Sequence, residues 1–288
     1  MRRFSLLDLS KITATTALLC MSFVSESRAA EHQRVVSAGG SITEIVYALG
    51  QEHRLVARDT TSNYPEAAHD LPNVGYVRRL SAEGLLSVDP DLILVEEGGG
   101  PPETLDVIRE TAIPVITVPL GFDRDAVEAK IKVVAEALDV EEKGRELASQ
   151  VLAEIDAAVA ESQLNGKRVM FVLALQGGRI LAAGQNNAAE GMIHMAGAEN
   201  AVQGFEGYKL LTDEAVIMAN PDIILVMNSR RGMDLSDEAL LANPTLASTK
   251  AGVAGAILRM DGMFLLGFSV RTGQAVRALA GGLQNVGS

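Results

Sequence analysis

The chain of 288 residues has no tryptophan, one cysteine, four tyrosines and four histidines. A lone cysteine rules out an internal disulfide framework and thiolate zinc sites, which need two or more. Four scattered histidines supply no clustered donor set for a bare metal ion. Long hydrophobic runs are also scarce. The only extended one, 12–24, falls short of the ~20 residues that cross a bilayer as a helix. It follows Arg2 and Arg3 and precedes the small-residue stretch Ser27-Arg28-Ala29, so residues 1–29 read as a cleaved secretory signal. Leu19 stands before Cys20, where a lipid-attachment site wants a small residue. Positive charge is in deficit as well, with a formal net charge of −12. The leader carries more basic than acidic residues, so its loss leaves the remainder still more acidic, a balance that disfavours phosphate backbones and nucleic acid.

What is present is a regular alternation. Short aliphatic runs at 34–37, 55–57, 92–95, 115–118, 168–173, 223–226 and 256–259 alternate with amphipathic stretches of helical length, the pattern of an α/β chain with largely parallel sheets. Between the first four runs and the last three lies 139–164, where Leu147, Val151, Leu152, Ile155 and Val159 recur at helical spacing without a proline. One long helix is expected there. An internal echo divides the chain about it: SAEGLLSVDPDLILV at 81–95 matches TDEAVIMANPDIILV at 212–226 position for position. Each copy opens on a hydroxyl cap with an acid in the first turn, Glu83 or Glu214, and closes on an Asx-Pro-Asp turn before a buried strand. A fainter echo relates 43–50 to 190–197. The expected layout is two Rossmann-like lobes with parallel sheets, 30–138 and 166–288, joined by a helix over 139–165, with a ligand site in the cleft between them.

Enzymatic signatures are missing. Gly39-Gly40-Ser41 follows a strand, but the Gly-x-Gly-x-x-Gly spacing of a dinucleotide site is not completed, which leaves a Rossmann-type oxidoreductase a distant alternative. Gly98-Gly99-Gly100 runs into two prolines and makes no phosphate loop. No Gly-x-Ser-x-Gly elbow occurs.

The stretches SAGGSITEIVYALG at 37–50 and LPNVGYVRRL at 71–80, with the repeated phrase, resemble the periplasmic binding proteins of siderophore, cobalamin and haem importers, and the Gly-Tyr-x-Arg run resembles the haem-binding branch. The resemblance covers essentially the whole chain after the leader. It implies a periplasmic, monomeric, non-enzymatic carrier that hands haem to an ABC permease dimer, with two lobes that close little. It implies Tyr76 as ligand to ferric iron, a role that suits a hard anionic oxygen. Arg78 then faces a propionate, since the guanidinium fork matches a carboxylate, and Arg79 is left as a solvated charge. In the second half, Arg230 or Arg231, beyond the carboxyl end of a strand, is expected to meet a propionate. Tyr208 is expected as a pocket wall and Arg271 as a further pocket candidate. Met227, Met233, Met260 and Met263 are candidates to line an apolar pocket. Gln176 stands where some haem-binding relatives carry a histidine for a second haem, so one haem per chain is expected. His194 reads as a core or helix-end residue. Glu83 and Glu214, matched across the repeat, are expected to dock on two permease subunits, a duplication that suits a twofold partner. A ferric siderophore or cobalamin in the same fold is the alternative cargo; the shortage of aromatics weighs against it.

Overall fold

Strand β1 (Val35–Ala38) is buried along its whole length, as is most of β3 (Leu92–Glu96) beside it, which accounts for their unbroken aliphatic character. With β2 (Leu55–Arg58) and β4 (Val115–Val118) they form a four-stranded sheet in the order β2-β1-β3-β4, parallel throughout. Helices α1 (Gly40–Ala48), α2 (Ala82–Leu86), α3 (Pro102–Arg109) and α4 (Arg124–Ala137) belong to this half. The computed structural model describes residues 32–162, 164, 166–228 and 235–286. The expected signal segment, Arg230, Arg231 and Met233 lie outside the described residues.

Helix α5 (Glu141–Glu161) is the long helix expected from the sequence, spanning about 31 Å at 1.5 Å per residue. It packs on α4, where a Cβ added to Gly144 would fall 2.4 Å from that of Ala135, so only glycine permits the approach.

The second sheet holds β5 (Arg168–Gln176), β6 (Arg179–Ala183), β7 (Glu199–Asn200), β8 (Tyr208–Leu210), β9 (Ile223–Met227) and β10 (Ile257–Met260). Its order is β10-β9-β5-β6-β8, with β7 also paired to β5. Helices α6 (Ala188–Met195), α7 (Asp213–Ala219), α8 (Asp237–Leu241), α9 (Pro244–Ala247), α10 (Lys250–Ala254), α11 (Gly262–Leu266) and α12 (Thr272–Asn285) complete the chain. This sheet is mixed where parallel pairing alone was expected: β9 and β10 run parallel to β5, but β6 is antiparallel to both β5 and β8. The cause is the two-residue turn Gly177-Gly178, with φ of 57° and 79°, which folds β6 straight back on β5 as a hairpin.

The internal repeat is structural as well as sequential. Ser81 caps α2 by accepting from the Gly84 amide at 3.0 Å, and Thr212 caps α7 by accepting from Ala215 at 3.3 Å. The Asx before each proline, Asp89 or Asn220, is left-handed (φ 47° and 34°) rather than extended, a conformation that Asp and Asn tolerate. The following aspartates then hold the first strand of each sheet. Asp91 accepts from the Gln33 and Arg34 amides, and Asp222 from the Arg168 amide at 3.0 Å. Among the described residues no helix is long and apolar enough to cross a membrane.

Candidate functional site

The carboxyl ends of the first sheet face α11 and the start of β8 across a cavity of about 290 Å³. Open α/β sheets bind ligands at that end because the connecting loops there leave a crevice. Tyr76, Arg78 and Tyr208, singled out from the sequence, all line this cavity, together with Glu96, Lys130, Phe122 and Phe268. A second cavity of about 640 Å³ shares Arg78, Leu120, Phe122 and Asn187 with it and adds Asp123, Glu190 and His194, so the two form one groove.

Tyr76 is presented by a loop tied down on both sides. Asn73 accepts from the Gly75 amide at 2.8 Å, Thr60 donates to the Gly75 carbonyl, and Arg58 exchanges backbone hydrogen bonds with Pro72 and Val74. Beyond the tyrosine, Val77 and Leu80 are buried, and Gly100 bonds to both of their backbones. Anchored flanks leave the ring 43% exposed, with no hydrogen-bond partner for its hydroxyl among the described residues. Arg78 lies alongside. Its Nη1 donates to the Gly98 carbonyl at 2.7 Å, and its Nη2 stands 4.0 Å from Glu96 Oε2. Gly98 is favoured by its φ of 74°, and a Cβ there would lie 2.7 Å from that nitrogen, so the Arg78 guanidinium would have to shift. Arg79 is exposed.

Tyr208, at the start of β8, stacks edge-on against Phe171 with centroids 6.4 Å apart. Burial of part of the ring pushes its phenol up to about 12, although the residue is still 38% exposed, and at neutral pH it presents a neutral phenol to the cavity. Glu96, at the end of β3, has its carboxyl raised by burial, although Lys130 and Arg78 pull it back. Lys130 is lowered by burial. Phe122 and Phe268 meet edge-to-face at 5.9 Å on the groove wall. Of the methionines expected to line the pocket, Met263 does so; Met260 is packed in the core and Met227 lies against Gly262.

Arg271 is not on this cavity. Its guanidinium grips the buried Glu44 carboxylate through Nε at 2.9 Å and through Nη2, and its Cζ lies 3.7 Å from the Tyr64 ring centroid. A helix-start arginine facing a buried acid on α1 is thus taken up by structure. Gln176 sits exposed at the hairpin tip, and His194 is exposed in the last turn of α6. Glu83 and Glu214 are exposed at matched first-turn positions, the latter with its carboxyl lowered by its own backbone amide and by the Thr212 hydroxyl. Among the described residues no group of three or more His, Cys, Asp or Glu could hold a bare ion.

Lys130 and Glu96 were missed in the sequence. The signal for Lys130 was there: it interrupts the stripe Val127, Ile131, Val134 on α4, where a lysine needs a reason to be buried.

Comparison with known proteins agrees with this architecture. The haem-binding protein BhuT, described in complex with two hemes, is 41% identical and superimposes with a TM-score of 0.84 over 88% of this chain and 99% of its own. The apo haem-binding protein RhuT from Roseiflexus sp. RS-1 is 40% identical with the same TM-score, over 89% and 99%. A vitamin B12-binding protein of Vibrio campbellii is 25% identical over 201 residues, 70% of this chain and 72% of that one. The sequence profile described as periplasmic binding protein matches residues 35–262, and the chain belongs to that family.

Proposed function

We propose that this chain is the substrate-binding component of an ABC importer, which captures ferric haem in the periplasm and delivers it to a membrane permease without chemistry of its own. The observation that carries this reading is the convergence of Tyr76, Arg78 and Tyr208 on one cavity, from loops and strands of both sheets. Tyr76 offers an exposed phenol oxygen without a partner among the described residues, and a trivalent iron displaces the proton that a phenol ordinarily keeps. Tyr208, at the start of β8, gives the cavity a wall and a neutral hydrogen-bond donor. Arg78 reaches a propionate from the groove's mouth. Arg230 and Arg231 remain candidates for the other propionate; Arg271, held by Glu44, does not. Phe122, Phe268 and Met263 supply apolar contact. Burying ~300 Å² of porphyrin at ~25 cal/mol per Å² yields roughly 7 kcal/mol before association costs. A single protein ligand to iron leaves the haem removable.

On this reading residues 1–29 are a cleaved export signal, 30–138 and 166–288 are the two lobes, and 139–165 is the linker. The carrier is a monomer that meets a permease dimer through Glu83 on one lobe and Glu214 on the other. One haem is expected per chain, although Gln176, the position that suggested it, lies at the hairpin tip and lines neither cavity. Cobalamin is the second reading, favoured by relatives described as vitamin B12-binding proteins at lower identity.

Absorbance titration with hemin, a ferric siderophore and cobalamin separates the cargoes. Hemin is expected to bind one to one with a tyrosinate-to-iron charge-transfer band. Tyr76→Phe should abolish that band with the circular dichroism unchanged; a band that persists removes Tyr76 from the iron.

A further inference from the structure

A buried ammonium faces the cavity with its charge incompletely answered. Lys130 projects from the inward face of α4 and is 1% exposed, yet it is part of the cavity wall. Its Nζ lies 3.3 Å from the Phe268 carbonyl and 3.5 Å from that of Gly267. Both contacts are long for a charged donor, which ordinarily closes to about 2.7–2.9 Å. An ammonium has three protons to place, and among the described residues Lys130 forms no ion pair within 4.0 Å. Glu96 acts on it only from farther off, and burial disfavours the charge. A buried cation without a contact counter-ion costs stability that an anionic ligand group, brought to the same spot, offsets. Arg78 cannot take that role at depth, because the Gly98 carbonyl already holds it at the groove's mouth.

We propose that Lys130 is a specificity residue of the cavity floor, donating to a carboxylate of the cargo and thereby selecting a carboxylate-bearing macrocycle over an uncharged one. The proposal rests on the haem-carrier reading and adds a discriminating contact to it. Haem presents two propionates; a macrocycle rimmed by amides or esters presents none, and for such a ligand the buried ammonium stays unanswered.

The test compares hemin with hemin whose propionates are both esterified, on wild-type protein, Lys130→Met and the double variant Lys130→Met/Glu96→Gln, which removes the opposing buried charge too. A charged hydrogen bond in a dry site corresponds to about tenfold or more in affinity. The wild type is expected to prefer hemin over its diester by at least that factor. Lys130→Met should lose most of the preference by weakening hemin alone, and the double variant, folded by circular dichroism, should do the same. A hemin-to-diester ratio unchanged in both variants, or a parallel loss for both ligands, would overturn the proposal and leave Lys130 a structural tie to the Gly267 and Phe268 carbonyls. Wild-type protein that binds neither porphyrin would instead overturn the carrier reading, and this proposal with it.

Discussion

Replacing Arg271 with methionine removes the guanidinium that neutralises Glu44 while keeping much of the side-chain volume. The two groups sit on α1 and at the start of α12, one in each half of the chain, and their side chains are 2% and 15% exposed respectively. The pair is bidentate, Ser269 Oγ donates to the same carboxylate, and the cation lies over the Tyr64 ring and 5.1 Å from the Phe264 centroid. In Arg271→Met the carboxylate keeps only the serine in a dry site. Breaking a buried pair from one side costs about 3–5 kcal/mol, and for a chain of this size each kcal/mol lowers Tm by roughly 2–4 °C. A fall of roughly 6–20 °C is expected by calorimetry.

Glu44→Gln/Arg271→Met should recover a large share of that loss, because no buried charge is then left alone, giving a coupling of about 2 kcal/mol or more in a double-mutant cycle. Hemin affinity should be nearly untouched, since Arg271 does not line the cavity. If Arg271→Met melts within about 0.5 kcal/mol of wild type, or the double variant costs the sum of the singles, the pair is not the buried tie described. A large loss of hemin affinity with no loss of stability would restore Arg271 to the pocket.

The remaining predictions concern charge. Glu96 has a folded pKa above its usual 4.5, so between that value and its raised one the folded state binds more protons than the unfolded state. Its contribution to stability is therefore present below the usual carboxyl range and is lost as pH rises through the folded value. Glu96→Gln should flatten that slope in urea-melt stabilities measured across mildly acidic pH, and an unchanged slope assigns it to another group. Reversing Glu83 and Glu214 together to lysine should abolish stimulation of the importer in vesicles while hemin affinity and Tm stay close to wild type, because both side chains are exposed. Undiminished transport would remove them from the docking surface.

Much of this fold could be read from residues alone, and the parts that could not share a cause. The seven expected runs are all strands, and the helix expected over 139–164 is Glu141–Glu161. Periodicity and capping are local, and so they are visible in one sequence. The hairpin β5–β6 and the short β8 escaped because a Gly-Gly turn and a three-residue edge strand carry too little pattern. Tyr76, Arg78 and Tyr208 were reachable through motif resemblance. Arg271 was misplaced because its partner Glu44 is 227 positions away, and nothing local distinguishes an arginine that meets a propionate from one that meets a buried carboxylate. Lys130 was legible only as an exception, a charged residue on an apolar stripe.

The same long-range contacts bear on how such a carrier selects and releases its cargo. Helix α5 is pressed against α4 at Gly144 and against α12, where Gly273 abuts Glu154 and Arg277 pairs with Glu154 and Glu161. Glu44 and Arg271, Lys130 and the Gly267 and Phe268 carbonyls, and Phe122 and Phe268 each join the two sheets' halves directly. A hinge opening wide enough to matter would expose the Glu44–Arg271 pair and part the aromatic contact together. Closure of the lobes over a ligand is therefore a poor source of discrimination here. On the proposed site, selection falls to the fixed chemistry of the walls: the exposed phenol of Tyr76, the neutral phenol of Tyr208, Arg78 at the mouth and Lys130 at the floor. On the proposed docking, release calls for a partner that pulls on both halves, and Glu83 and Glu214, exposed on the two copies of the repeat, would give it a grip on each.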